Sequence, residues 1–125
     1  MDFTADLEDL RFVLFEQLNI DEDLPKIEKY EDFDHDTIEA MLDEAYTLAR
    51  EVLHPINGPG DRQGCSFDPA TGDVTTPKGY INAWNILSEG GWTTVTAPQD
   101  AGGVGAPASL GMAVTELHCG AALAY

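Results

Sequence analysis

Basic residues are scarce in this sequence: six lysines and arginines stand against 23 aspartates and glutamates, a formal net charge of −17. A surface of that sign repels phosphates, so nucleic acid is excluded as a partner and little is left to hold a phosphate-rich cofactor. The imbalance is uneven, with 17 acids and 4 bases in residues 1–51 but only 6 acids and 2 bases in residues 52–125. A solvated, highly soluble surface accounts for it, and a specific basic partner is the sharper alternative. No run of about 18 uncharged apolar residues occurs, so no membrane span is expected. The opening Met1-Asp2-Phe3-Thr4-Ala5-Asp6 has neither the basic nor the apolar region of a signal peptide. Only two cysteines occur, Cys65 and Cys119, far apart and at no metal-binding spacing. Two unpaired thiols in a reducing cytoplasm are expected, with a single disulfide as the alternative.

What is present is enough for one domain with a core: 125 residues, 43% of them hydrophobic. Leu7, Leu10, Leu14 and Leu18 recur at three- and four-residue steps and predict a helix over 6–18, capped by Asp6. Asn19 to Pro25 reads as a loop, with a short turn over 24–29. A second helix starts at Asp34, with Phe33 and Ile38 as a staple and Asp36 at the positive end of the dipole. Its stripe runs Ile38, Met41, Leu42, Ala45, Ala49, Val52, Leu53 and Ile56, and Asn57-Gly58-Pro59-Gly60 is expected to end it. Residues 61–76 read as a connection with a turn over 68–73. A third helix opens at Thr76-Pro77, threonine as cap and proline first, with Tyr80, Ala83, Trp84 and Leu87 as its stripe and Gly90-Gly91 as its stop. A fourth runs from about Ala108 to the end, with Leu110, Val114, Leu117 and Ala121 on one side. The period is helical throughout, which predicts an all-α fold.

Gly103-Val104-Gly105-Ala106-Pro107-Ala108 fits the loose spacing of a dinucleotide-binding turn. Such a turn follows its strand directly and sends its helix back to a second parallel strand. Here Pro98 to Ala101 separate the β-branched run from the glycines, Pro107 intrudes before the helix, and no second strand follows. The glycines Gly102, Gly103 and Gly105 are therefore expected to shape a tight helix-to-helix crossover with positive φ.

The same stretch, "EGGWTTVTAPQDAGGVGAP" followed by a helix with Thr115-Glu116-Leu117, resembles the N-terminal helical domain of the acyl-CoA dehydrogenase family. Gly91-Trp92, Pro98, Gly102-Gly103, Gly105 and Glu116 take the positions of that family's pattern. Glu8 to Glu16, Gly60 to Cys65 and Thr76 to Tyr80 resemble the branch that includes 3-methylmercaptopropionyl-CoA dehydrogenase. The resemblance implies an FAD-dependent enzyme with three domains, in which a glutamate removes the α-proton of an acyl-CoA and the β-hydrogen leaves as hydride to the flavin. The flavin is held mainly by a middle β-domain and a C-terminal four-helix domain. Residues 1–125 then correspond to an incomplete first domain with no residue matching the catalytic glutamate, and with no cofactor of its own.

The resemblance places Ala121, Ala122, Leu123 and Tyr125 in the wall of the acyl pocket, although ordinary helix packing explains small residues there equally well. It implies as partners the remaining dehydrogenase domains or a homo-oligomer, with acyl-CoA bound only by the intact enzyme. Glu116 is expected to be solvated or capping. His35 reads as a surface residue, His54 as a partner for a terminal carbonyl, and His118 as a helix residue without a ligand pair, so no metal is expected. Asp61 and Arg62 are expected to pair, and Trp84 and Trp92 to anchor a core or an interface. A stand-alone helical module derived from the same domain is the alternative to a piece of the enzyme, and an intact small enzyme finds no support.

Overall fold

The computed structural model describes residues 2–125. Helix α1 (Leu7–Arg11) starts where the Asp6 carboxylate accepts the Glu8 N–H at 3.0 Å, and it continues as a π-helical segment over Phe12–Gln17. There the Leu18 N–H reaches back five residues to the Val13 carbonyl at 3.0 Å. The wider turn carries Leu18 off the stripe: Leu14 is buried, whereas Leu18 is 51% exposed. Asn19 stops the helix in the left-handed region, and the expected loop contains a single helical turn, α2 (Ile20–Asp23), with 3-10 turns at Leu24–Lys26 and Glu28–Tyr30.

Helix α3 (His35–Leu48) begins as its sequence predicts. The Asp34 carboxylate accepts the Thr37 N–H at 2.9 Å, and Phe33 and Ile38 are both buried. The helix does not end at residues 57–60. It passes through a π-helical segment (Ala49–Leu53) into α4 (His54–Gln63), which contains Pro59 and stops at Gly64. Tertiary packing overrides the weak local propensity here. The Tyr80 ring lies so close to Gly60 that a Cβ there would sit 2.5 Å from it, so the glycine is the contact surface of a helix rather than its terminator.

The connection after α4 holds a small hairpin, β1 (Ser66–Phe67) antiparallel to β2 (Val74–Thr75), which helical periodicity did not anticipate. Its turn over 68–73 is as expected, with the Asp68 carboxylate accepting the Ala70 N–H at 2.8 Å. Helix α5 is Tyr80–Glu89, shorter than the sequence implies: Gly79, at φ 95°, caps it instead of Thr76. The Tyr80 N–H bonds to the Pro77 carbonyl at 3.2 Å, so residues 77–80 close a separate turn before the helix. On α5, Ala83 and Leu87 are buried but Trp84 is 54% exposed, because the buried line follows the 83/87 pair and leaves residue 84 beside it.

Helix α6 (Ala108–Ala121) completes the fold and packs across α3 and its π extension. The core lies between them: Ile38, Leu42, Leu53, Leu110 and Leu117 are the largest fully buried side chains, and among the described residues no polar or charged one is buried with them. The fold is all-α apart from the hairpin. Arg11 ties α1 to α3 at the surface, with its guanidinium 2.7 Å from Glu8, 2.9 Å from Glu39 and 2.9 Å from Asp43. No ion pair joins Asp61 to Arg62 among the described residues, so that expectation is corrected: both side chains are exposed on α4, where water solvates each.

Candidate functional site

Two features of the chain have the form of ligand sites, and the glycine loop comes first. Gly102 and Gly105 adopt positive φ, at 81° and 75°. Gly103 is glycine for space instead: a Cβ there would collide with the Ala97 carbonyl. A phosphate cradle needs free backbone N–H groups, and this loop has none to offer. The N–H groups of Gly102, Gly103, Val104, Gly105 and Ala106 bond to the carbonyls of Gln99, Pro98, Thr94, Ala97 and Val95 at 2.9–3.1 Å. The loop is a hydrogen-bonded crossover that delivers the chain to α6.

The second feature is the end of α6 beside α5. Ala121 and Ala122 are buried in the core, Leu123 is 81% exposed, and Tyr125 is half-buried. Of these four, only Tyr125 lines a cleft, of about 260 Å³, together with Thr76, Tyr80, Ile81 and Trp84. The rings of Tyr80 and Tyr125 meet edge to face at 5.5 Å. The Tyr125 hydroxyl is buried without a hydrogen-bond partner, and burial pushes its pKa up. The cleft is apolar and contains no ionisable acid or base other than its two phenols. It can receive an aliphatic or aromatic group, but it cannot polarise one. Sequence reasoning missed its α5 wall because Tyr80 and Trp84, four residues apart, were assigned to the core stripe; the Tyr80-Ile81-Trp84 cluster of large apolar residues was the available signal.

The remaining candidates lie elsewhere. Glu116 is exposed on α6 and lines a separate groove against α1. His35 Nδ1 lies 2.8 Å from an Asp21 carboxylate oxygen, and that hydrogen bond raises its pKa. His54 stacks near Phe3, with ring centroids 6.1 Å apart. His118 sits edge-on to Trp92, with one ring nitrogen buried and unpartnered. Both cysteines are exposed free thiols, and no cluster of metal-ligating side chains occurs among the described residues. No helix is long and apolar enough to cross a membrane.

His118 supplies a pH dependence. Burial lowers its pKa, with a hydrogen bond to the Ala45 backbone opposing. Below its ordinary value of about 6.5 the unfolded ring therefore holds more protons than the folded one, and stability falls as pH falls through that window. His35 has the opposite sign: its raised pKa adds stability below the ordinary value, lost as pH rises through the folded one. His118→Gln should lessen the loss of melting temperature between about pH 7 and about pH 5. Parallel melting curves of variant and parent over that range would show that the ring does not titrate with folding.

This geometry defines an all-α segment with an apolar cleft, and the sequence it resembles is that of the acyl-CoA dehydrogenases. No family model matches the chain. It is 28% identical over 117 residues to 3-methylmercaptopropionyl-CoA dehydrogenase of Ruegeria pomeroyi, covering 94% of this chain and 19% of that protein. It is 33% identical over 119 residues to the broad-specificity linear acyl-CoA dehydrogenase FadE5 of Mycobacterium tuberculosis, covering 95% of this chain and 19% of that one. Butyryl-CoA dehydrogenase of Syntrophomonas wolfei is 34% identical over 87 residues, 68% of this chain and 14% of that protein. The chain thus spans about a fifth of the length of the first two curated relatives, and its similarity to them runs along nearly all of its own.

Proposed function

We propose that this chain is the N-terminal helical portion of a cytoplasmic, FAD-dependent acyl-CoA dehydrogenase, which α,β-dehydrogenates acyl-CoA thioesters when intact. In this reading residues 1–125 belong to the first domain, the flavin-binding β-domain and the C-terminal four-helix domain are other parts of the enzyme, and these residues are inactive alone. Their task is to wall the acyl pocket at the end of α6, with Tyr125 at the cleft, Leu123 exposed near it, and the small Ala121 and Ala122 packed in the core behind. The observation that carries the reading is the similarity of 94–95% of the chain to two such dehydrogenases. The cleft beside Tyr125 supports it, since an acyl chain needs an apolar wall and no catalytic group from this side.

In this reading the flavin is held by the other domains, and no step of the reaction is assigned to the residues of this chain. The glycine loop has its N–H groups engaged, and Arg11, Lys26 and Arg50 are each held by carboxylates at 2.7–2.9 Å.

The surface agrees with a segment that packs against further protein. A folded monomer of this length exposes about 6,500 Å², whereas this chain exposes 7821 Å². Phe67, Val74, Ile81, Trp84, Met112 and Leu123 are each more than half exposed. The partners are the remaining dehydrogenase domains or a second copy. The isolated chain should bind a hydrophobic dye or sediment as a dimer that tightens with added salt, since screening relieves its charge repulsion. A dye-negative monomer at every salt level would show that the segment closes its own surface.

The gene itself decides between the enzyme and a free-standing module. An open frame running past Tyr125 into a β-rich domain is the expected result. A stop codon directly after Tyr125, with no dehydrogenase frame downstream, would overturn the proposal in favour of a helical interaction module.

A further inference from the structure

Between the first helix and α6, apart from the cleft beside Tyr125, lies an open groove of about 550 Å³. Leu10, Val13, Leu18 and Met112 supply its apolar surface, with Leu18 and Met112 more than half exposed. It extends from Ser109 to Cys119, ten residues of α6 and so about 15 Å at the rise of a helix. Asp9 stands on one wall and Glu116 on the other; both are exposed, and neither makes an ion pair. No lysine or arginine lines the groove. Arg11, the one base of the first helix, is bound on its α3 side by Glu39 and Asp43, and His118 of α6 is packed against Trp92. The π-helical turn, a local irregularity frequent at functional sites, forms part of the wall and leaves Leu18 uncovered.

We infer that this groove docks an amphipathic helix of about three turns whose apolar stripe is flanked by lysine or arginine. The length of the groove sets the number of turns, its leucine, valine and methionine surface takes the stripe, and Asp9 and Glu116 meet the basic flanks from opposite sides. The same two carboxylates oppose any phosphate-bearing ligand, so the groove is not a site for a coenzyme A ester. A second copy of this chain is also a poor occupant, because its own charge is −17. Acidic walls over an apolar floor select a basic helical partner by attraction and reject acidic ones by repulsion.

The chain carries its own reporters: Cys119 lines the groove and Cys65 does not, and both thiols are exposed. The probe is a synthetic helical peptide of about 12 residues, built from leucine and lysine with one apolar face. Alkylation of each thiol is timed by mass spectrometry with and without it. At saturation Cys119 should react at least tenfold more slowly while Cys65 keeps its rate. Met112→Asp should weaken binding of the fluorescent peptide at least tenfold, and Asp9→Asn with Glu116→Gln severalfold, with circular dichroism confirming that each variant stays folded. A matched leucine and glutamate peptide should not protect Cys119. Equal protection of both thiols, or binding indifferent to Met112→Asp, would overturn the inference in favour of general adsorption to an acidic surface. Protection of Cys119 by a dimer of the chain itself, without peptide, would overturn it in favour of a second copy.

Discussion

Replacing Leu110 with alanine should remove about 2–5 kcal/mol from the free energy of unfolding. Leu110 is wholly buried on α6, which packs across α3, in a core with no buried polar residue among the described residues to rearrange. Truncation removes the transfer energy of the lost methyl groups and leaves a cavity that two crossed helices cannot close by sliding. A domain of this size is stabilised by only about 5–15 kcal/mol in total, so the variant should sit near the edge of folding. Urea denaturation is the measurement, with a lower midpoint and an unchanged slope as the expected result. A loss below about 1 kcal/mol would mean that α6 is not the centre of the core.

The glycine loop gives the second large effect, through a contrast between neighbours. Gly102 has positive φ but open space around the position of a Cβ, so Gly102→Ala should cost only the left-handed backbone penalty of about 1–2 kcal/mol. Gly103 has no positive φ, but its Cβ would collide with the Ala97 carbonyl, which is itself held by the Gly105 N–H at 2.9 Å. The carbonyl cannot yield without breaking the crossover and moving Ala106 and the start of α6. Gly103→Ala should therefore be the worse of the pair, by about 1–3 kcal/mol. Thermal melts of the two variants side by side decide it. Equal losses, or a greater loss at Gly102, would show that the loop is shaped by dihedral preference alone.

These elements also mark what the sequence made legible. The caps of α1 and α3, the buried stripe of α6 and the all-α class follow from local chemistry: a carboxylate within reach of free N–H groups, and apolar residues at helical spacing. The failures are non-local. Gly58-Pro59-Gly60 reads as a stop, yet the helix runs on to Gln63, and Gly60 packs against Tyr80, a partner twenty positions on that local spacing does not reveal. The π-helical turn that exposes Leu18 changes the period within one helix, which a fixed spacing cannot register. The two-residue strands are too short to alternate. At the site, the glycine loop was legible as a crossover because its surroundings failed the phosphate pattern that its spacing fits: Pro98 to Ala101 part it from the β-branched run, and Pro107 stands before the helix. The cleft was not, because exposure at Trp84 depends on which neighbours cover α5. The acid-rich first half was visible from composition, but the pairing of its carboxylates was not: Glu39 and Asp43 hold Arg11, whereas Asp9 faces the open groove.

The central claim is that these residues shape an acyl pocket without holding the flavin. Its most direct test is to incubate the purified chain with excess FAD, remove free flavin by gel filtration, and record the visible absorbance of the protein fraction. The account predicts no flavin band, since every N–H of the glycine loop from Gly102 to Ala106 is engaged within the protein. One equivalent of flavin retained per chain would contradict it.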